Sequence, residues 1–97
     1  MSEWHLYIIR CAKGTLYTGI STDVERRFRE HSSGKGARYL RGRAPLELVF
    51  RQALSSRTEA LKLEARIKKL TPQRKIALIT GKIMMSELAG LGIKIHS

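Results

Sequence analysis

The sequence predicts an α/β fold in which a small three-stranded sheet is flanked by helices. Residues 4–10 and 15–20 are rich in β-branched and aromatic side chains, and a glycine-containing turn separates them, which is typical of a β-hairpin. Residues 46–52 form a third run of this kind after a proline. Residues 22–31 and 56–70 begin with helix-capping signatures and continue as helical segments.

Length and composition favour one folded domain. A chain of 97 residues buries about 65% of its extended surface, which suits one hydrophobic core. The hydrophobic fraction of 42% is ordinary for a globular protein. We place the domain at residues 1–81. Residues 82–97 are expected to form a weakly helical or flexible tail, because glycines interrupt their helical pattern.

The charge balance points to an anionic partner. The chain has 19 lysines and arginines against 8 aspartates and glutamates, a formal net charge of +11. Such an excess reports on partners and not on the fold, and the commonest polyanionic partner is nucleic acid. A basic but inert surface, or a ribosome-associated protein, is the alternative on charge alone.

Cysteine usage and hydropathy bear on the compartment. Cys11 is the only cysteine, so no internal disulfide forms, and the thiol is expected to pack as a small hydrophobic group at the end of the first strand. The N-terminus shows no signal-peptide pattern, and no apolar run approaches the roughly 20 residues of a membrane span. We therefore expect a cytoplasmic protein without a membrane partner. We also expect it to be a monomer.

A short basic helix follows the hairpin. Thr22 and Glu25 form a capping-box signature, in which the Thr22 hydroxyl accepts from a free amide and Glu25 reaches back. The helix carries four basic side chains: Arg26, Arg27, Arg29 and His31. Arg27 and His31 are four residues apart and project from one face. Together with the tyrosines of the hairpin they could hold a phosphodiester.

The connection to the third strand is basic. Residues 32–36 are rich in helix breakers and are expected to form a mobile loop that carries Lys35, without the spacing of a P-loop. Three arginines lie around Tyr39: Arg38, Arg41 and Arg43. This mixture suits neutralisation of a phosphate backbone and stacking on an unpaired base. A solvated connecting segment is the alternative.

The second and third helices have clear starts. Ser56 and Glu59 form a second capping box, followed by a core stripe at helical spacing: Ala60, Leu63, Ile67 and Leu70. Glu64 lies on one flank of that stripe and Glu59 on the other, so periodicity does not choose between these carboxylates. Pro72 opens the third helix, which is expected to end at Gly81.

Several of these features occur in the order and spacing of one nuclease family. They are two strand motifs, His5-Leu6-Tyr7 and Tyr17-Thr18-Gly19, then Arg27 ten positions after the second tyrosine, His31 one turn later, and Glu64 in the second helix. Together they resemble the GIY-YIG nuclease superfamily, and within it the small stand-alone YhbQ-like proteins, over roughly residues 4–80. The resemblance implies a mainly antiparallel sheet and a short helix before the third strand, in the order β-β-α-α-β-α-α.

The resemblance also implies catalytic roles. Arg27 would clamp a phosphate oxygen, and Tyr7 would orient or deprotonate the attacking water. Tyr17 and His31 would bind the phosphate or assist proton transfer. Glu64 would hold one Mg²⁺ or Mn²⁺ ion that retains several waters. Taken singly, these residues also have structural interpretations: strand packing, a solvated arginine, a histidine favoured by the helix dipole, and a Glu64–Lys68 pair.

The sequence supports one leading function and two alternatives. Seven side chains are predicted to bind nucleic acid, for which we expect DNA: Arg26, Lys35, Arg38, Tyr39, Arg41, Arg43 and Lys68. The leading hypothesis is a metal-dependent endonuclease that selects DNA by structure rather than sequence and leaves 5′-phosphate and 3′-hydroxyl ends, as the family does. A binding module of the same fold with negligible turnover, and a basic interaction protein with no site, are the alternatives. Ile20 stands where some members carry lysine, and the chain has no asparagine, so two family features are missing.

Overall fold

The computed structural model describes residues 3–81, which form a three-stranded antiparallel sheet and three α-helices. In chain order the elements are β1 Trp4–Arg10, β2 Leu16–Ser21, α1 Val24–Ser32, a 3₁₀ turn Arg38–Leu40, β3 Glu47–Leu54, α2 Arg57–Lys68 and α3 Pro72–Ile79. The predicted α/β class and antiparallel sheet are confirmed. The predicted short helix before β3 is a single 3₁₀ turn. The predicted tail, residues 82–97, lies outside the described residues.

The hairpin places its two motifs side by side. β1 is the central strand of the order β2-β1-β3, and its Tyr7 and Ile9 pair with Gly19 and Tyr17 of β2. The hairpin is closed by backbone hydrogen bonds at the Cys11–Thr15 turn, where glycine occupies a left-handed position that other residues avoid. Because paired residues point to the same face of a sheet, Tyr7 and Tyr17 lie on one face.

The pairing of β1 with β3 contains one irregularity. Ile8 pairs with Phe50, but Ile9 pairs with Leu48, so Val49 is an extra residue in β3. An extra residue of this kind is a β-bulge, which bends the strand and increases its local twist. On both sides of the bulge, each residue of β1 and its partner in β3 still point to the same face of the sheet.

The first helix begins one residue later than the sequence predicts. Its N-cap is Asp23, whose side chain accepts from the Arg26 N–H, so the predicted Thr22 cap is wrong. This shift puts Glu25 at the second helical position, from which the reciprocal capping bond is not made, and Glu25 instead accepts from Arg51 of β3. An aspartate carboxylate is at least as good an N-cap as a threonine hydroxyl, and the two candidates are adjacent.

The starts of the other two helices agree with the sequence. The Ser56 hydroxyl accepts from the Glu59 N–H at the start of α2. The Thr71 hydroxyl accepts from the Arg74 N–H, with Pro72 at the first position of α3. No helix within residues 3–81 has the length and apolar character needed to cross a membrane.

The hydrophobic core lies on both faces of the sheet. Leu6 and Ile8 of β1 pack with α2 and α3, whereas Tyr7 and Ile9 pack with α1 and the 3₁₀ turn. Cys11 is buried in the second of these clusters, as predicted for a small hydrophobic side chain. Tyr7 therefore faces α1, and this arrangement brings the tyrosine motif to the basic helix.

Candidate active site

Three rings from β1, β2 and α1 meet on the α1 face of the sheet. The Tyr7 hydroxyl oxygen lies 2.9 Å from His31 Nε2. The ring centres of Tyr7 and Tyr17 are 6.4 Å apart, and the Tyr17 ring meets the His31 ring edge to face at 5.4 Å. The structure thus brings together three of the five residues that the resemblance nominates, and we call Tyr7, Tyr17 and His31 the ring cluster.

Gly19 makes room for Tyr7. A Cβ built on Gly19 would lie 2.6 Å from the Tyr7 hydroxyl and 2.7 Å from Cζ of the same ring. The phenol therefore lies against the backbone of the opposite strand, at a distance that a side chain would block. The sequence marked Gly19 only as a motif member. A glycine in a strand interior is the available signal for such a close approach.

His31 is held at both ring nitrogens. Its ring is buried, with only 2% of the residue exposed, and Nδ1 accepts from the Ala37 N–H at 3.0 Å. The preceding residue, Gly36, passes so close that a Cβ there would lie 2.1 Å from Nδ1. Sequence reasoning treated this segment as a loop carrying Lys35 and missed both contacts. A loop that closes on a helix six residues earlier has no periodicity that would reveal it.

Arg27 lies one turn before His31 and pairs with a neighbouring carboxylate. Its Nη1 donates to Glu30 Oε1 at 3.0 Å, and about two fifths of each side chain is exposed. The guanidinium holds the pKa of Glu30 below its ordinary value. It also lowers the pKa of Tyr7, against the larger opposite effects of burial and Tyr17. Glu30 was not among the predicted site residues, although an acidic residue three positions after an arginine was a possible signal.

Burial favours the neutral form of both central groups, Tyr7 and His31. Burial raises the pKa of Tyr7 to about 12, Tyr17 adds to that rise, and a hydrogen bond from Arg27 opposes it. Burial also lowers the pKa of His31, and the positive charge of Arg27 lowers it further. Tyr7 is therefore a phenol and His31 a neutral imidazole in the free protein.

The negative charge of Glu64 in α2 affects the pKa of Tyr7. That negative charge contributes to the raised Tyr7 pKa. The Glu64 side chain is one fifth exposed, and Lys68 Nζ lies 3.4 Å from its Oε2. Glu59, the other flanking carboxylate, lies 3.8 Å from Lys62 Nζ. The charge of Glu64 therefore reaches the ring cluster, and the choice of Glu64 over Glu59 as the metal ligand stays a prediction.

The donor set allows a metal ion with one protein ligand. Within the part of the chain that the structure describes, no group of three or more His, Cys, Asp and Glu side chains is arranged to hold a metal. A lone carboxylate at Glu64 suits Mg²⁺ or Mn²⁺, which keep several waters and take phosphate oxygens from a substrate. Zinc would need more protein ligands.

Tyr39 and Arg43 extend the ring cluster towards solvent. Tyr39 stacks on Tyr17 with ring centres 6.0 Å apart and planes 22° apart, and it is 45% exposed. The Arg43 guanidinium lies 4.5 Å from the centre of the Tyr39 ring. These two predicted nucleic-acid contacts therefore adjoin the predicted catalytic residues.

Two open grooves near Tyr39 carry positive charge: Tyr39 lines the first, and Arg43, which lies over the Tyr39 ring, lines the second. One, of about 370 Å³, is lined by Leu16, Tyr17, Thr18, Tyr39, Lys68 and Lys75. The other, of about 440 Å³, lies between residues 11–13 and 41–44 and includes Arg41 and Arg43. Lys75 was not predicted, because its place beside Tyr39 depends on how α3 packs. The remaining predicted contacts, Arg26, Lys35 and Arg38, are exposed on α1, its following loop and the 3₁₀ turn.

Comparison with protein families and curated proteins identifies close relatives. Residues 3–77 match the GIY-YIG catalytic domain family. A UPF0213 protein of Cronobacter sakazakii is 54% identical over 83 residues, which cover 86% of this chain and 87% of the relative. The UPF0213 protein YhbQ of Salmonella typhimurium is 51% identical over 80 residues, which cover 82% of this chain and 80% of the relative.

Solved structures are similar as well. The solution NMR structure of a UPF0213 protein from Bacillus halodurans has a TM-score of 0.55 and 44% identity, covering 82% of this chain and 85% of that one. The solution NMR structure of a protein from E. faecalis has a TM-score of 0.58 and 32% identity, covering 100% of this chain and 94% of that one.

Proposed function

The chain belongs to the GIY-YIG family, and on that premise we propose that it is a metal-dependent endonuclease acting on DNA. The observation that carries the proposal is the meeting of Tyr7, Tyr17 and His31 in one cluster, with Arg27 and Glu64 acting electrostatically on Tyr7. A phosphodiester needs these groups: donors for its oxygens, a cation for its charge and a carboxylate for a metal ion.

Arg27 is the proposed phosphate clamp. Its planar guanidinium can donate two parallel hydrogen bonds to a phosphate, and Glu30 now occupies part of that fork. A phosphate that binds here must replace or share the Glu30 contact. Glu30 thus holds the arginine side chain near the ring cluster until substrate arrives.

Tyr7 is proposed to orient the attacking water by hydrogen bonding. With a pKa of about 12, its phenol keeps its proton in the free protein at neutral pH. This supports an orienting role over deprotonation of water by a preformed phenolate. Tyr17, one ring away, is proposed to contact the phosphate.

Glu64 is proposed to hold one Mg²⁺ or Mn²⁺ ion. Such an ion would stabilise the charge that develops on the phosphate and on the leaving oxygen. Lys68 pairs with the Glu64 carboxylate in the free protein and would have to give way. Lys68 also lines the groove beside Tyr39, where it can turn to a DNA phosphate.

The proposed substrate is DNA recognised by structure rather than sequence. Arginine and lysine side chains around an exposed tyrosine suit backbone phosphates and an unpaired base, and neither reads a base sequence. The groove lined by Tyr39 and the groove lined by Arg41 and Arg43 are proposed to hold the DNA strand.

A binding module with negligible turnover is the second candidate, and two contacts favour it. Arg27 is already neutralised by Glu30, and Glu64 by Lys68. The missing lysine at Ile20 and the absence of asparagine from the chain point the same way. This candidate keeps the DNA surface and lacks only the chemistry.

A cleavage assay separates the two candidates. End-labelled single-stranded, duplex, nicked and branched DNA would be incubated with the protein in Mg²⁺, in Mn²⁺ and in chelator. We expect metal-dependent products with 5′-phosphate and 3′-hydroxyl ends, formed most rapidly on substrates with a discontinuity or an unpaired segment. DNA binding without metal-dependent cleavage on any substrate would establish the binding module instead.

A further inference from the structure

The two contacts of His31 determine where its proton lies. Nδ1 faces the Ala37 N–H at 3.0 Å, and Nε2 faces the Tyr7 hydroxyl at 2.9 Å. A backbone N–H can only donate, so Nδ1 must present a lone pair. A neutral imidazole without a proton at Nδ1 carries it at Nε2. The ring therefore donates to the Tyr7 oxygen.

We propose that the Ala37 N–H locks His31 in the Nε2–H tautomer, so that His31 positions Tyr7 by donating to its oxygen and does not accept its proton. The role in cleavage rests on the proposed nuclease function, whereas the tautomer itself does not. It makes His31 a positioning residue, in place of the proton-transfer role that the resemblance left possible.

The alternative tautomer is disfavoured by the same geometry. If Nε2 accepted a hydrogen bond from the Tyr7 hydroxyl, the neutral ring would carry its own proton at Nδ1. If Nε2 took up the Tyr7 proton completely, the ring would be charged and both nitrogens would be protonated. In either case two N–H groups would face each other across the 3.0 Å contact with Ala37. Because His31 is buried, water cannot replace the lost hydrogen bond, and an unpaired buried donor is strongly disfavoured.

The lock leaves the Tyr7 proton free for the substrate. Because the Tyr7 oxygen accepts from His31, its own O–H is directed away from that contact. A water or phosphate oxygen bound beside Arg27 and Glu64 is the partner that the site offers. The same Nε2–H would stabilise negative charge on the Tyr7 oxygen whenever that proton is given up.

Gly36 is the residue that makes the lock possible. A Cβ there would lie 2.1 Å from His31 Nδ1 and 2.8 Å from its Cα, so only glycine lets the backbone pass. Its φ is not positive, unlike that of Gly34, so space and not backbone conformation is what it supplies. The requirement follows from the close approach that delivers the Ala37 N–H.

The tautomer can be read directly in the free protein. In a ¹⁵N-histidine sample, a ring nitrogen with a proton and one without resonate at separate frequencies, and the His31 signals are those missing from His31→Gln. We expect Nδ1 unprotonated and Nε2 protonated at pH 7. A protonated Nδ1 would overturn the proposal, whether or not the protein cleaves DNA.

A backbone substitution tests the part played by Ala37. Incorporating lactic acid at position 37 replaces the N–H by an ester oxygen and leaves the side chain unchanged. We expect the His31 ring to shift towards Nδ1–H, because an oxygen now faces it. The same exchange at Ala12, whose N–H donates to the Arg43 carbonyl, is the control and leaves the tautomer as in the wild type. An unchanged ring in the position-37 ester would refute the lock.

Two side-chain variants test the consequence for cleavage. Glutamine at position 31 offers an amide donor near the place of Nε2 and cannot carry a proton away, whereas alanine offers nothing. We expect His31→Gln to cleave at least about tenfold faster than His31→Ala, because a tenfold ratio corresponds to the free energy of about one hydrogen bond. Equal rates for two folded variants would overturn the positioning role. A wild type that does not cleave would remove the proposed function and leave the tautomer to be decided by the spectra.

Discussion

Tyr7 and Gly19 face each other directly across β1 and β2, and the Tyr7 hydroxyl lies within 2.6 Å of where a Gly19 Cβ would be. The Tyr7 phenol, for which we propose a catalytic role, is therefore positioned by the absence of a side chain on the neighbouring strand. It is also held from the other side by His31. A small change at Gly19 should act on the site without touching any charged group.

We expect Gly19→Ala to reduce cleavage at least about tenfold. The added methyl group must displace the Tyr7 ring, because both the ring and the opposing backbone are buried. The measurement is the single-turnover cleavage rate, with folding checked by circular dichroism. A Gly19→Ala variant that stays folded and cleaves at the wild-type rate would show that the close approach does not matter.

Gly14→Ala is the control for this glycine substitution. Gly14 has a φ of 88° and nothing within 4 Å of a Cβ. Alanine in this conformation costs about 1–2 kcal/mol of stability. This cost should lower the midpoint of thermal unfolding. Because the substitution leaves Tyr7 in place, cleavage at low temperature should remain normal.

Glu64→Gln should abolish cleavage and preserve DNA binding. The substitution keeps the size and helix propensity of the side chain but removes the charge proposed to hold the metal ion. DNA affinity should be equal or higher, since a carboxylate near the phosphate is gone. Cleavage should stay at background across ordinary Mg²⁺ concentrations.

Glu59→Gln is the matched control on the other flank of α2. Glu59 lies near Lys62, 3.8 Å from its Nζ, on the flank of the helix opposite Glu64. This variant should cleave like the wild type. Loss of cleavage in Glu59→Gln with retention in Glu64→Gln would make Glu59 the metal ligand.

Arg27→Ala should also stop cleavage, but for a different reason. It removes the guanidinium proposed to clamp phosphate and leaves Glu30 without its partner. DNA affinity should therefore fall, while Mn²⁺ affinity measured without DNA should remain as in the wild type. A variant with normal DNA affinity and weakened Mn²⁺ binding would contradict the assigned role.

DNA binding should be strongly dependent on salt. If about six or more phosphates are contacted, affinity should fall by orders of magnitude between about 50 and 200 mM salt. Reversing the charge of the three arginines around Tyr39 to glutamate should weaken binding to all sequences: Arg38, Arg41 and Arg43. The control variant has the same change in charge at three exposed positions in α2 or directly after it: Lys62, Arg66 and Lys69. Equal losses in both triple variants would place the binding surface elsewhere.

Stability should fall on mild acidification because of His31. Burial and the positive charge of Arg27 lower the pKa of His31 in the folded protein, and the negative charge of Glu30 partly opposes this. Below pH of about 6.5 the unfolded chain takes up this proton first, so the free energy of unfolding decreases, by at most about 1.4 kcal/mol per pH unit. The His31→Gln variant should lack this slope, as measured by denaturant titration between pH 7 and 5. An identical slope in both proteins would show that His31 titrates normally.

The elements with local signatures were predictable from the sequence. The hairpin has a glycine turn between two β-rich runs, and the Ser56 and Thr71 caps are followed by helical segments. The cap of α1 was misplaced because Thr22 and Asp23 are adjacent and both are good caps. Tyr7, Tyr17 and His31 were nominated by their order in the chain, and the structure supplies their contact.

The supporting contacts of the site were not predictable, for physical reasons. The hydrogen bond from Ala37 to His31 depends on how an irregular loop closes, and such a loop has no period. Gly36 is required for space and not for a positive φ, so it resembles any loop glycine. Lys75 reaches the groove only through the packing of α3.

The bulge at Val49 makes the two neighbours of β1 unequal in their tolerance of length changes. Deleting Val49 would let Leu48 and Phe50 pair with Ile9 and Ile8 as consecutive residues, so every side chain would keep its face. Deleting one residue from β2 would instead slide it by one position and turn its motif away from Tyr7. We therefore expect a one-residue change in length to be tolerated at this point of β3 and not in the hairpin.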